Sequence, residues 1–166
     1  INNIVPKEYI AIVLGGEWEY KIYNKWDKVI EKILLEDKGL KIIFIGSSNA
    51  KNTAKELLKK YPERNILDFV ERLSFNQSVE VVRRAKVLLC CDGGIMHAAN
   101  AVGSNSVVLY ARLTPEMLIT NSTKSYNLFD KIDVNKISSK RVLEKYFEAF
   151  HPVSYTRLTL PTTPYV

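Results

Sequence analysis

The residues of this chain best suited to act together stand in one stretch, Asp92-Gly93-Gly94-Ile95-Met96-His97. A carboxylate, two glycines and an imidazole follow the apolar run 87–91 and precede Ala98, Ala99, Val102 and Gly103. The apolar run reads as a strand covered on both faces. Ile95, Ala98, Ala99 and Val102 recur at helical spacing as one stripe, and Gly103 supplies a stop. The turn between them lies at the carboxyl end of a strand and the amino end of a helix. Unpaired N–H groups and the positive end of the helix dipole meet there, so the expected chemistry is capture of an anion. Gly93 and Gly94 are expected to adopt angles, or allow close approaches, that a Cβ would forbid. Helical periodicity puts His97 on the side opposite the stripe. It is either a hydrogen-bond donor to an oxyanion held at the turn or a solvated side chain. The dipole disfavours an imidazolium in the first turn, so the donor would be neutral until an anion arrives. Asp92 has three open roles: capping the helix, facing a sugar hydroxyl, or orienting the loop.

The rest of the chain supplies the elements that position this turn. Residues 9–14 form a strand that runs into Gly15-Gly16. The loop continues through Glu17, Trp18, Tyr20 and Lys21, an aromatic and charged wall for a ligand. Asn24 is expected to cap a helix whose stripe is Trp26, Val29, Ile30, Ile33 and Leu34. A second strand, 40–45, ends in Gly46-Ser47-Ser48. Ala50, Ala54, Leu57, Leu58 and Tyr61 mark the next helix, which Pro62 stops. Residues 65–69 read as a brief third strand. Ser74-Phe75-Asn76-Gln77 is a capping box, opening a helix with Phe75, Val79, Val82 and Ala85 inward. A fifth strand, 106–110, leads to Arg112-Leu113-Thr114-Pro115. From 115 to 133 the pattern is weak and loop-like. Ser138 or Ser139 caps a last helix with Val142, Leu143, Tyr146, Phe147 and Phe150 apolar. Strands alternating with helices specify an α/β fold, a Rossmann-like parallel sheet with helices on both faces. Ligands of such sheets bind beyond the carboxyl ends of the strands, near the topological switch point. Topology therefore gathers the loops 15–21, 46–48, 92–94 and 111–115 at one edge.

Bulk properties narrow the function classes. A chain of 166 residues suits one domain with a real core, and 46% hydrophobic with 25% charged residues is the balance of a globular protein. No apolar run approaches the ~20 residues that span a bilayer. Cys90 and Cys91 are adjacent on a strand and point to opposite faces, which suggests neither a disulfide framework nor a metal site. A reducing compartment fits this usage best. With His97 and His151 the only histidines, a His-rich zinc site is not expected, and no metal or cofactor is assigned. The net charge of +6 suits anionic ligands or an anionic membrane surface, and no basic-aromatic array points to nucleic acid.

The run from Asp92 to Gly103, followed by Val107-Val108-Leu109-Tyr110 and Thr114-Pro115, resembles the donor-binding half of the heptosyltransferases, glycosyltransferase family 9. That family shows a D-[ST]-G-x-x-H-x-x-A-A-x-G pattern, then a strand and a T-x-P-like loop. Lys21 followed by Trp26 is similar to its K-x-W element, and residues 65–85 resemble its N-L-x-G … S-L … A region. The resemblance covers about residues 9–150 and implies the C-terminal half of a GT-B type glycosyltransferase. It implies a donor site for a nucleotide-diphosphate sugar, ADP-heptose being one candidate, with a lipopolysaccharide-type surface glycan as acceptor. Gly93, Gly94, His97 and Lys21 would hold the diphosphate, with Ser47, Ser48, Asp92 and Thr114 completing the donor site. Lys21 also has the plain reading of a solvated loop charge. Removing Lys21 or His97 is expected to weaken diphosphate binding and leave stability nearly unchanged. The implied location is cytoplasmic, with peripheral contact at the inner face of the membrane.

The chain departs from the family pattern in several places. Gly93 replaces the usual Ser or Thr, and Ser47-Ser48-Asn49 stands where a Glu often grips the ribose. Ala111 replaces a usual Gly. The general base is not evident in these residues and is expected in an acceptor-binding half that this chain lacks. Residues 1–152 are thus read as a nucleotide-sugar-binding domain, a fragment of a larger protein. Residues 153–166, with two prolines, Pro152 just ahead and no helical period, resemble translated sequencing-adapter sequence and are read as non-native. Two alternatives are half of a nucleotide-sugar epimerase of similar architecture, and a single-domain phosphate-binding or receiver-like module. The latter would want an acidic cluster at the ends of the first strands, where Gly15-Gly16 and Gly46-Ser47 stand.

Overall fold

A computed structural model describes residues 4–61, 65–118 and 124–152. The tail 153–166 and Pro62 lie outside the described residues. Six strands, β1 (Tyr9–Val13), β2 (Lys41–Ile45), β3 (Ile66–Asp68), β4 (Leu88–Cys91), β5 (Ser106–Ala111) and β6 (Ser125–Asp130), pair in parallel in the order β3-β2-β1-β4-β5-β6. This is the doubly wound order, whose switch point lies between β1 and β4. A receiver-type module reverses at a different strand pair, so the topology argues against that alternative.

The helices are α1 (Trp26–Glu36), α2 (Lys51–Lys60), α3 (Phe75–Arg84), α4 (Gly94–Ala101), α5 (Pro115–Leu118) and α6 (Ser139–Phe150). Val29, Ile30 and Ile33 of α1, Ala54 and Leu57 of α2, and Val142, Tyr146 and Ala149 of α6 cover one face of the sheet. Val81 and Val82 of α3 with Met96 and Ala99 of α4 cover the other. The alternation of β4 sends Leu88 and Cys90 to the second layer and Leu89 and Cys91 to the first, so the adjacent cysteines do face opposite ways.

Several expectations need correction. The segment 115–133 is not a plain loop; it holds α5 and β6. β6 is an edge strand in which only Leu128 is fully buried, so it never needed the apolar run that marks a central strand. Asn24 does not cap α1. Lys25 holds that position, and the Asn24 N–H instead donates to Asn135 Oδ1 at 2.8 Å. Ser74 and Gln77 do form a reciprocal capping box on α3. The helix is rotated from the expected phase, however: Ser78, Val81 and Val82 are buried and Phe75 is 58% exposed. On α4 the buried pair is Met96 and Ala99, and Val102 of the expected stripe is exposed. Phe147 of α6 is likewise exposed. On these short helices a one-residue change of phase moves the buried stripe, and contact with the sheet decides it. Among the described residues, no helix is long and apolar enough to cross a membrane, and no group of His, Cys, Asp and Glu could hold a metal ion.

Candidate functional site

A cleft of about 770 Å³ opens at the carboxyl ends of β1, β2 and β4. Gly15, Gly16 and Lys21 border it from the loop after β1, Gly46, Ser47, Ser48 and Asn49 from the loop after β2, and Asp92, Gly93 and Gly94 from the turn after β4. Three of the four expected loops therefore meet.

Tight backbone packing builds the β1–β2 side. Gly15 has φ +80, and Gly46 has no room for a side chain: a Cβ there would lie 2.5 Å from the Ala50 Cβ and 2.7 Å from the Leu14 carbonyl oxygen. Asn49 ties the two loops together. Its Nδ2 donates to the Gly16 carbonyl at 2.7 Å, and its Oδ1 accepts from the Ser47 hydroxyl at 3.0 Å. Gly93 and Gly94 behave otherwise. Gly93 is extended, and a Cβ on it would meet nothing within 4 Å; the nearest atom to a Cβ on Gly94 is Phe75 Cε2 at 3.8 Å. The fold does not require glycine at either position, contrary to the expectation. Their lack of side chains leaves the approach to the α4 amino end open.

Asp92 does not cap α4, whose N-cap is Gly93. Its Oδ2 lies 2.8 Å from Lys21 Nζ, and the two side chains keep only 3% and 17% of their exposure. Asp92 Oδ1 is buried without a hydrogen-bond partner among the described residues. Lys21 is therefore neither a solvated charge nor a free one, and the expectation that it serves no structural purpose is withdrawn. Burying Asp92 requires a counter-charge, and Lys21 supplies it. The 3₁₀ turn Glu19–Lys21 sets the lysine backbone, with its N–H on the Trp18 carbonyl at 2.9 Å. The Arg112 guanidinium stacks over the neighbouring Tyr20 ring at 3.7 Å, so the loop after β5 props the loop after β1.

Two expected residues are not brought into the cleft. His97 is exposed on α4, and among the described residues its side chain makes no hydrogen bond. Thr114 is half-buried beyond β5 and does not border the cleft. Glu17 of the expected ligand wall and Asn49 do border the cleft; it also includes Glu71 and Leu73, which sequence reading did not single out, and Phe75, which it placed in the core. Glu71, Leu73 and Phe75 follow the short β3, where no glycine-bearing turn draws attention.

Cys91 also borders the cleft, half-buried, in surroundings that disfavour its thiolate. Burial first, and then the Asp92 charge, push its thiol up to about 12; burial raises the Cys90 thiol as well. Only the thiolate attacks. Native chain is expected to react with a thiol reagent at pH 8 more than roughly tenfold more slowly than chain unfolded in urea. Equal rates before and after unfolding would contradict the burial described.

The sequence profile of glycosyltransferase family 9 (heptosyltransferase) matches residues 2–146. No curated protein matches the chain. Among solved structures, E. coli ADP-heptose LPS heptosyltransferase II is similar with a TM-score of 0.72 at 20% identity, over 87% of this chain and 46% of that one. E. coli heptosyltransferase WaaC with ADP gives 0.74 at 18% identity, over 89% and 47%. The family 9 glycosyl transferase from Veillonella parvula DSM 2008 gives 0.70 at 14% identity, over 90% and 48%. At these identities the likeness is one of fold, and the chain spans about half the length of each of these structures.

Proposed function

The chain belongs to glycosyltransferase family 9, and from that premise we propose that residues 1–152 form the nucleotide-sugar-binding domain of a transferase acting on a bacterial surface glycan. The observation that carries the reading is the cleft at the switch point, where the amino end of α4, two unobstructed glycines and a lysine meet. The amides of Gly93 and Gly94 with Lys21 are assigned to the diphosphate, and His97 is assigned to an outer phosphate oxygen. Ser47 and Ser48 border the nucleoside end. Asp92 orients Lys21; its other oxygen is buried, so the sugar-hydroxyl role is not assigned to it. Thr114 is assigned only to the rim. As the glycosidic bond breaks, the departing nucleoside diphosphate gains negative charge, which preorganised donors in a buried site stabilise.

The proposed donor is ADP-heptose and the proposed acceptor a lipopolysaccharide-type glycan. One E. coli relative is described by that donor and another is described with ADP. A net charge of +6 is compatible with working at an anionic membrane surface. An epimerase of related fold has no such support. The acceptor hydroxyl needs a positioned base. The cleft carboxylates Asp92 and Glu71 are each engaged by a lysine, and Glu17 is exposed and held by no hydrogen bond among the described residues. The base is accordingly assigned to a second domain facing this cleft.

Calorimetric titration with ADP tests the donor site. The chain should bind ADP, and His97→Ala should weaken binding about tenfold, as for loss of a hydrogen bond to a charged group. Its melting temperature should hold, since the side chain is exposed. No ADP binding at millimolar concentration would overturn the reading. Unchanged affinity in His97→Ala would remove that residue from the site.

A further inference from the structure

Dinucleotide-binding sheets of this order place an acid at the end of the second strand, where it accepts a hydrogen bond from the ribose. Here β2 runs into Gly46, Ser47 and Ser48, none of which carries a charge. The cleft nevertheless has a carboxylate on that side. Glu71 borders it together with Gly46, Ser47 and Ser48. Its backbone N–H donates to the Gly46 carbonyl at 2.9 Å, so the chain leaving β3 crosses directly beside the end of β2. We propose, building on the donor-binding reading above, that Glu71 recognises the ribose hydroxyls of the nucleotide, delivering from the end of β3 the acid that β2 lacks.

Three observations support this assignment. Glu71 has φ +60, in the left-handed region that a glutamate rarely occupies. Glycine or asparagine would meet the same backbone requirement with less strain, so the conformation alone does not call for glutamate. Strain of this kind persists where surrounding structure over-determines it, and it collects at ligand sites. The carboxylate is also held in place. Its Oε2 pairs with Lys51 Nζ at 3.0 Å, at the start of α2, and no bond to Oε1 is shown among the described residues. The side chain keeps 37% exposure, enough for a ligand to reach it. Finally, the polarity of the cleft runs the right way. Lys21 and the α4 amino end stand at the β1–β4 side, while Glu71 stands beside the end of β2. A nucleoside diphosphate has the same order: an anionic diphosphate, then a diol that donates hydrogen bonds.

The test titrates the full chain and its Glu71→Gln variant with ADP, 2′-deoxy-ADP and inorganic pyrophosphate. Wild type should prefer ADP over 2′-deoxy-ADP by about tenfold, the scale of a hydrogen bond to a charged group. Glu71→Gln should bind the two nucleotides within about twofold of each other, because a neutral amide acceptor gains little from the hydroxyl. Pyrophosphate should bind both proteins alike, since it has no ribose. Glu71→Asn, which tolerates the left-handed backbone, should reproduce the loss if Gln disturbs folding. Persistence of the full preference in both variants would overturn the role of Glu71 and leave the diphosphate site standing. Failure of wild type to bind either ADP or pyrophosphate would instead overturn the donor-site reading, and this proposal with it.

Discussion

Lys21→Ala is expected to destabilise the fold by about 3 kcal/mol, the scale of removing one partner from a buried ion pair. The reason lies with Asp92. Its side chain is 3% exposed, its Oδ2 rests 2.8 Å from Lys21 Nζ, and its Oδ1 has no partner among the described residues. Without the lysine, a carboxylate that keeps 3% of its exposure would lose its counter-charge. For a chain of this size the loss corresponds to a fall in melting temperature of about 10 °C. Adding Asp92→Asn to Lys21→Ala should restore much of it, since the stranded charge is then gone. A double-mutant cycle should give a coupling of about 2 kcal/mol. Strict additivity would mean the pair is solvated and the charge needs no partner. The same pair explains how one lysine can serve both fold and ligand. An anion arriving at the α4 amino end meets a cation already fixed beside it, with little further side-chain ordering to oppose binding.

Gly46→Ala is expected to be at least as harmful, about 3 kcal/mol or more, while Gly93→Ser should be neutral within about 0.5 kcal/mol. The contrast is steric. A Cβ on Gly46 would stand 2.5 Å from the Ala50 Cβ and 2.7 Å from the Leu14 carbonyl oxygen. Ala50 is fully buried, and Leu14 is pinned by its N–H on the Ile45 carbonyl at 2.8 Å, so neither can retreat cheaply. A Cβ on Gly93 meets nothing within 4 Å. Urea unfolding of the two variants checks both halves of the prediction. A stable Gly46→Ala would mean that the loops after β1 and β2 are not packed as described. A destabilised Gly93→Ser would mean that the turn after β4 has a backbone requirement that its extended conformation does not reveal.

Much of the site was legible in the chain itself because it follows from local rules. A buried strand is a short apolar run, and its end is marked by the first polar or glycine residue, as at Leu14-Gly15, Ile45-Gly46 and Cys91-Asp92. Alternation of strands and helices implies a parallel sheet, and parallel topology brings those ends to one edge. Ser74 and Gln77 formed their capping box because both partners lie within four residues. The exposure of His97 followed from helical periodicity, although the expected stripe on α4 was off in phase. What only the tertiary structure decided depends on partners distant along the chain. Lys21 and Asp92 are paired by the adjacency of β1 and β4, which no local pattern encodes. Asn135 diverted Asn24 from its cap, and contact with the sheet set the phase of α3 and α4. β6 was hidden because an edge strand is not buried on both sides and carries no continuous apolar signal. Whether a glycine is required depends on which atoms stand opposite it. Gly46 faces Ala50 and Leu14 across a closed loop while Gly93 faces open space, and that difference exists only once the strands are packed side by side.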